Sequence, residues 1–484
     1  LSILKAIKIK PNFAEGHLNL GKIFHKDGKL QKAEISTRKA IELKKNYYEA
    51  YLNLGIILSD LGKPIEAEIA VFKSIMLKDN NSASHLNLGS ILRDLGKLKE
   101  AETATRRAID LNENYYEAYA NLGIILTEIG NLEEAKKNFQ KCLEINPDDT
   151  SNIYPLLNIL LRNFDWNEIK TYIPYLKEIG INSKAINPHD LMYLEDNPNN
   201  HLKRANKYSK NFIRDKSSNL DYQNKSHIKI GYFSSDFRNH PISISLTRIL
   251  ELHDNSKFKV YAYSLNNMFD DYTERIKNAV FCFRDISKLS DLEIVNIARK
   301  DKIDIAIDLN GYTKNNRISI FKYHVAPIQI NFLGYPGTLG SKSYNFILAD
   351  KVLIPQENKK YFTEEVLYLP GSSIPFDDTN KNSNKIFRKE ELGLPSDSFI
   401  FTCFNKIQKI TKNEFRIWMS LLKKVENSSL WLIKPNRFAR DNIYKEMSFY
   451  GIAKERVIFA EQMNLNDHLS RHSCGDLFLD TFNY

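Results

Sequence analysis

The chain has 484 residues, 42% hydrophobic and 26% charged, too many for one hydrophobic core and ordinary for a soluble protein of two to four domains. Its net charge of +10 is spread along the chain as lysines beside Asn, Asp and Glu, which argues against nucleic acid and fits a solvated surface with a pocket for an anionic substrate. No apolar run is long enough to predict a membrane span, while an opening at Leu1 inside a helical pattern leaves a removed leader open.

From the amino end, residues 1–149 are organised by a repeat. The tripeptide Asn-Leu-Gly begins at Asn19, Asn53, Asn87 and Asn121, in steps of 34 residues. A second glycine recurs at Gly28, Gly62, Gly96 and Gly130, and an alanine at Ala33, Ala67, Ala101 and Ala135. Residues 47–58 and 115–126 are near copies, which suggests duplication of a pair. The pattern predicts a first helix that ends on the second glycine in the left-handed conformation. A second helix follows, with the small alanine where two helices pack closely. One pair cannot bury its apolar face alone, whereas stacked copies form a superhelix with a concave side. Period and glycine–alanine spacing resemble the tetratricopeptide repeat. Residues 1–10 read as the tail of a preceding repeat, so a longer array is expected. The recurrent asparagines have two readings: polar residues tolerated on a helix, or a ladder of amides on the concave face that binds an extended peptide backbone.

Residues 150–226 lose the rhythm and read as an irregular helical connector, including Asp165-Trp166 and Pro188-His189, with no chemistry of its own. From Ile228 strands alternate with helices. Strand-like runs lie at 228–234, 258–265, 303–309, 328–333 and 346–349, with helical patterns at 242–253 and 289–300, which predicts a parallel sheet covered on both faces. This first lobe spans 227–384 and ends in a polar linker, Asp377 to Lys385. A second series occupies 385–484: strands 399–404, 429–433, 457–460 and 476–480, with helices 412–424, 437–450 and 465–472. Two doubly wound lobes facing each other place a ligand at the carboxyl ends of their strands. The series stops on an unfinished strand, so a truncated second lobe is expected.

Phosphate-loop, dinucleotide and zinc-protease signatures are absent, as is an Asp-x-Asp pair. His468 and His472 lie four apart on a helix without an evident third ligand, so no metal is expected. The cysteines Cys142, Cys282, Cys403 and Cys474 are far apart and fit no metal or redox spacing, which points to a reducing, cytoplasmic setting. Three segments at strand ends remain: Ser234 through Pro241; Asp304 through Thr313, continuing to Ala326-Pro327-Ile328-Gln329 and Leu333 through Thr338; and Phe404 through Ile410, reinforced by Asp467 through Arg471.

The strings SDFRNHP, NGYT with APIQ and LGYPGT, and the FNxxxK segment resemble the catalytic region of the protein O-GlcNAc transferase family and its bacterial and SPINDLY-like relatives. The match covers nearly the whole chain in the right order. It implies an α-solenoid of tetratricopeptide repeats followed by a two-lobed, Rossmann-like GT-B glycosyltransferase of α/β type. The implied reaction is inverting and metal-independent, moving N-acetylglucosamine from UDP-GlcNAc to Ser or Thr of a protein held by the repeats. By position, Lys409 matches the lysine on the donor diphosphate, and Lys406 stands where familiar members carry Gln. His468 and Arg471 match uridine-side contacts. Gly334 and Pro336 match the loop lining the sugar pocket. His240 matches an acceptor-side histidine, either general base or positioning group. Asp304 falls where animal members carry His, with Asp301 nearby as another carboxylate for proton removal. A second family histidine is Ile244 here, and the family's Gly-His-Thr-Thr segment is expected beyond residue 484. A donor such as GDP-fucose, or a repeat scaffold with an incomplete transferase, remains as the alternative.

Overall fold

The computed structural model describes residues 2–212, 226–379 and 385–482. The chain divides into two compact units, Leu1–Ile159 and Leu160–Tyr484.

The first unit is a stack of helical hairpins. After a helix at Ser2–Ile9 come the pairs Ala14–Lys26 with Leu30–Leu43, Tyr48–Asp60 with Pro64–Leu77, Ser82–Asp94 with Leu98–Leu111, and Tyr116–Ile129 with Leu132–Ile145. Each first helix stops where the sequence places its second glycine: Gly28, Gly62, Gly96 and Gly130 have φ of 71°, 73°, 76° and 95°, a region that L side chains avoid. The other recurrent glycine sets the spacing within a hairpin. A Cβ on Gly21 would lie 2.3 Å from Thr37 Oγ1, and one on Gly55 2.3 Å from Val71 Cγ2. Ala33, Ala67, Ala101 and Ala135 are completely buried.

The four asparagines are not equivalent rungs. Asn53 and Asn121 are buried, and their Nδ2 groups donate to Thr37 Oγ1 and Thr105 Oγ1 at 3.0 and 3.1 Å. Asn87 donates to Ala83 O of its own helix at 2.8 Å, whereas Asn19 is exposed. One N–H of Asn53 and one of Asn121 is thus taken up inside the array. Where the second helix offers a threonine hydroxyl, the amide is used to satisfy a buried polar pair.

The second unit holds two parallel sheets. The first contains β1 (Ile228–Ser234), β2 (Phe258–Ser264), β3 (Cys282–Asp285), β4 (Ile305–Asp308), β5 (Ile328–Asn331), β6 (Phe346–Ala349) and β7 (Glu365–Tyr368), in the order β3-β2-β1-β4-β5-β6-β7. The second contains β8 (Phe399–Cys403), β9 (Ser428–Ile433), β10 (Val457–Ala460) and β11 (Leu477–Phe478), in the order β10-β9-β8-β11. Helices Pro241–Leu252, Asp291–Asp301, Lys412–Lys424 and Arg437–Phe449 form where periodicity predicts them. The predicted strands are present, but β3 and β7 were not legible. Both are short edge strands, paired on one side only.

The connector proves to be a strap with two anchorages. Phe164 and Trp166 pack on Phe415, with ring centroids 6.3 and 5.0 Å from it, while Asn442 and Asn436 bond the Asn163 backbone and side chain. Further along, Asn187 Nδ2 donates to Tyr312 O at 2.8 Å and Ser209 Oγ to Gly340 O at 2.6 Å. One segment thus grips the second sheet's helices and the next grips the loops of the first sheet. Its residues 213–225 lie outside the described residues, as do 380–384 of the polar linker. The linker's start is held by Arg275, which donates to Asp377 Oδ2 at 2.6 Å and Thr379 Oγ1 at 2.8 Å.

Candidate active site

Each sheet reverses its winding once, between β1 and β4 and between β8 and β11. At such a point neighbouring loops diverge from the carboxyl ends of the strands and leave a crevice for a ligand.

The first rim is built around Asn310, 1% exposed just after β4. Its Nδ2 donates to Ser235 Oγ and Asp236 Oδ2, both at 2.8 Å, and its Oδ1 accepts from the Ser235 N–H at 2.8 Å. A single amide therefore ties β4 to the loop that leaves β1 and carries His240. Below it, buried Asp308 accepts from the Tyr344 hydroxyl at 2.6 Å and from the Asn310 and Gly311 N–H groups at 2.9 and 3.1 Å. The loop bearing Gly334 presses onto the same strand end, since a Cβ there would fall 2.0 Å from Leu309 O. Pro336 lines a cavity of about 510 Å³, together with Tyr335, Thr338, Tyr361, Phe362 and Phe482.

His240 caps the helix Pro241–Leu252, its Nδ1 accepting from the Ile242 N–H at 3.3 Å. In the neutral ring the proton then resides on Nε2, 3.9 Å from Asp236 Oδ1. Burial holds its pKa below the ordinary imidazole value, opposed by Asp236 and reinforced by Arg238 and Lys406. The ring is neutral near pH 7, yet what it offers is an N–H donor. The general-base reading is corrected on this geometry, because the lone pair on Nδ1 already serves the helix; the positioning reading fits.

Asp304 is a second correction. It precedes β4, at the amino end of the sheet, where Oδ2 accepts from the Lys229 N–H at 2.8 Å. Asp301 is held on the same edge by Arg284 and by the Tyr263 hydroxyl at 2.7 Å. A four-residue strand, about 13 Å of chain, separates Asp304 from the carboxyl rim. The Asp304 carboxylate does not reach the crevice, and that of Asp301 is taken up by Arg284 and Tyr263.

The second rim mirrors the first in plan. Asn405 Nδ2 donates to Asp480 Oδ1 at 2.6 Å and to Thr481 Oγ1 at 3.1 Å, joining the ends of β8 and β11. The turn Ile407–Lys409 follows, with Lys406 exposed and Lys409 half-buried. Burial lowers the Lys409 pKa, Lys406 adds to the effect, and Asp480 and Cys403 oppose it. The Lys406 charge contributes to the lowered pKa of both Lys409 and His240.

Arg471 departs from its expected place. It is 1% exposed, its guanidinium lies 4.7 Å over the Phe404 ring, and one nitrogen donates to Glu461 O at 2.6 Å. Nε and Nη2 point at His468 Nδ1, at 3.0 and 2.7 Å. A guanidinium only donates, so His468 keeps its lone pair on Nδ1 and its proton on Nε2. Burial, then Arg471 and His472, push the His468 pKa down to about 4. Arg471 is a positioning residue behind His468 rather than a group on the open face. Phe404, the aromatic that opens the FNxxxK segment, has its ring centroid 5.1 Å from that of His468 and is the platform for both. Among the described residues no group of three or more His, Cys, Asp or Glu is arranged to hold a metal ion, and no helix is long and apolar enough to cross a membrane.

The glycosyl transferase family 41 model matches residues 201–381 and 376–483, more than half of the chain. This chain belongs to glycosyl transferase family 41. Tetratricopeptide-repeat models match residues 14–47, 82–115 and 116–149. Among curated relatives, the probable UDP-N-acetylglucosamine–peptide N-acetylglucosaminyltransferase SEC of Arabidopsis thaliana is 33% identical over 260 residues, covering 52% of this chain and 27% of that protein. The Arabidopsis thaliana protein of the same printed activity named SPINDLY is 31% identical over 267 residues, covering 53% and 29%. The matched region is thus less than a third of the length of either relative. A mutant of Thermobaculum terrenum O-GlcNAc transferase has the same fold, with a TM-score of 0.59 and 22% identity over 90% of this chain and 78% of that one.

Proposed function

We propose that this family 41 chain belongs to a protein O-glycosyltransferase that moves N-acetylglucosamine from UDP-GlcNAc to Ser or Thr hydroxyls, inverting the anomeric carbon without a metal. The observation that carries this reading is the pair of ammonium groups, Lys406 and Lys409, in the turn after β8 at the second switch point. The acceptor oxygen forms a bond to the anomeric carbon as the bond from that carbon to the diphosphate breaks, and the hydroxyl proton passes to solvent. Lys409 stabilises the charge appearing on the departing diphosphate. His240 orients the acceptor side through Nε2–H, and His468 presents Nε2–H to a carbonyl of the base. Gly334 and Pro336 border the sugar, and the repeats hold the acceptor protein. The printed names of the relatives support the donor and the peptide acceptor.

The test offers the protein a panel of radiolabelled nucleotide sugars and a protein extract, beside a Lys409→Ala variant. Labelling from UDP-GlcNAc that disappears in the variant is expected. Labelling from GDP-fucose alone would replace the donor, and no labelling from any donor, with peptides still bound, would leave a repeat scaffold.

A further inference from the structure

Glu364 is a buried carboxylate that neither rim uses. It lies just before β7 and is 4% exposed. The Leu339 N–H and the Thr338 hydroxyl donate to Oε1 and Oε2, each at 2.7 Å, and the Thr363 hydroxyl donates to Oε2 at 3.1 Å. These partners are neutral. Burying a carboxylate on neutral donors costs stability that an apolar side chain would not. What it secures is a geometry, because two oxygens that only accept can hold an N–H and two hydroxyls at once.

Thr338 and Leu339 belong to the segment that carries Pro336. The Thr338 hydroxyl also accepts from the Gly340 and Thr363 N–H groups, at 3.2 and 3.1 Å, which leaves its proton for the carboxylate. Leu339 O accepts from the Tyr312 hydroxyl and Gly340 O from Ser209 Oγ, both at 2.6 Å. A Cβ on Gly340 would run into the Ala205 backbone. Residues 338–340 are therefore fixed from three sides, by the start of β7, by the loop after β4 and by the connector. At the other end of the segment Gly334 lies tight on Leu309 O. Pro336 is thus strung between two fixed points, and it lines the same cavity as Thr338. On the reading that Gly334 and Pro336 border the donor sugar, we propose that Glu364 is a positioning residue for transfer. Through Thr338 and Leu339 it sets where Pro336 meets the sugar.

The test compares Glu364→Gln and Thr338→Val with the parent in the full chain, with circular dichroism as the check on folding. Gln keeps the volume but offers a single acceptor oxygen, and Val keeps the shape of Thr without its hydroxyl. Each is expected to lower kcat for transfer from UDP-GlcNAc by about tenfold to a hundredfold, the effect of a slightly misplaced reacting group. Affinity for UDP, which carries no sugar, is expected to stay at the parent value in a calorimetric titration. The double variant is expected to lose no more than Glu364→Gln alone, since both changes break one contact. Glu365→Gln, at the exposed neighbouring position, is the control and keeps the parent rate. Thr338→Val carries the prediction by itself if Glu364→Gln unfolds. Parent-like transfer in the variants, additive losses in the double variant, or UDP affinity that falls with the rate overturns the proposal. The parent's own choice among nucleotide sugars tests the donor, whereas the variant-to-parent ratio with the sugar it transfers tests Glu364. A parent that transfers no sugar overturns both.

Discussion

The two rims of the candidate site share a plan and differ in finish. On the first, Asn310 is buried with its amide fully engaged between Ser235 and Asp236. On the second, Asn405 makes the equivalent bridge to Asp480, but Asp480 and Lys406 are exposed. A buried polar network permits one arrangement because breaking it strands unsatisfied groups. An exposed rim trades bonds with water at small cost. The first rim is therefore a preformed wall, whereas the second carries exposed positive charge that an anionic ligand can recruit.

Four measurements break or sharpen that contrast. Lys409→Ala is expected to lower transfer by about a hundredfold to a thousandfold, the usual weight of a group on developing charge, with little change in thermal midpoint. A variant within a few fold of the parent would remove the charge role from the second rim. Asn310→Ala leaves the Ser235 N–H and Asp236 without their partner and is expected to cost about 3 kcal/mol in denaturant unfolding; a loss below about 1 kcal/mol would show that the first rim is no more preformed than the second. Asn405→Ala is expected to cost less than about 1 kcal/mol in the same assay, since solvent replaces an exposed bond. A cost equal to that of Asn310→Ala would erase the contrast.

The smallest effect concerns His468. Its folded pKa of about 4 lies below the unfolded imidazole value near 6.5, so between those values the unfolded chain binds the extra proton. Acidification through that window is expected to reduce the stability of the second lobe progressively, levelling below about pH 4. His468→Gln should flatten this slope in urea midpoints taken across the window. An unchanged slope would mean that burial and the neighbouring Arg471 do not hold the ring neutral.

What could be read in advance followed from how far apart the causes lie. The repeat was legible because the glycine and alanine that shape one hairpin fall within it, and recur. The central strands were legible because burial on both faces leaves apolar runs, while β3 and β7 are four-residue edge strands whose pairing is settled only by the sheet. Site residues divided the same way. Lys409 and His240 could be placed at strand ends by resemblance, but the base role of His240 failed on a cap to Ile242. Asp304 failed on which end of β4 it occupies, and Arg471 on its burial behind His468. Nor was it legible that Thr37 and Thr105 accept an N–H from Asn53 and Asn121, respectively.

By itself the amino-acid sequence determined the hairpin array, the alternation of strands and helices, and the family 41 segments at strand ends, because each rests on residue types at fixed short spacing. Only the tertiary structure decided which nitrogen of His240 and His468 is occupied, which carboxylates lie on the wrong edge, and that one amide locks the first rim. Those outcomes depend on contacts between residues tens of positions apart, from Ser235 to Asn310 and from Asn405 to Asp480. Hydrogen-bond direction and burial are set only when such segments meet.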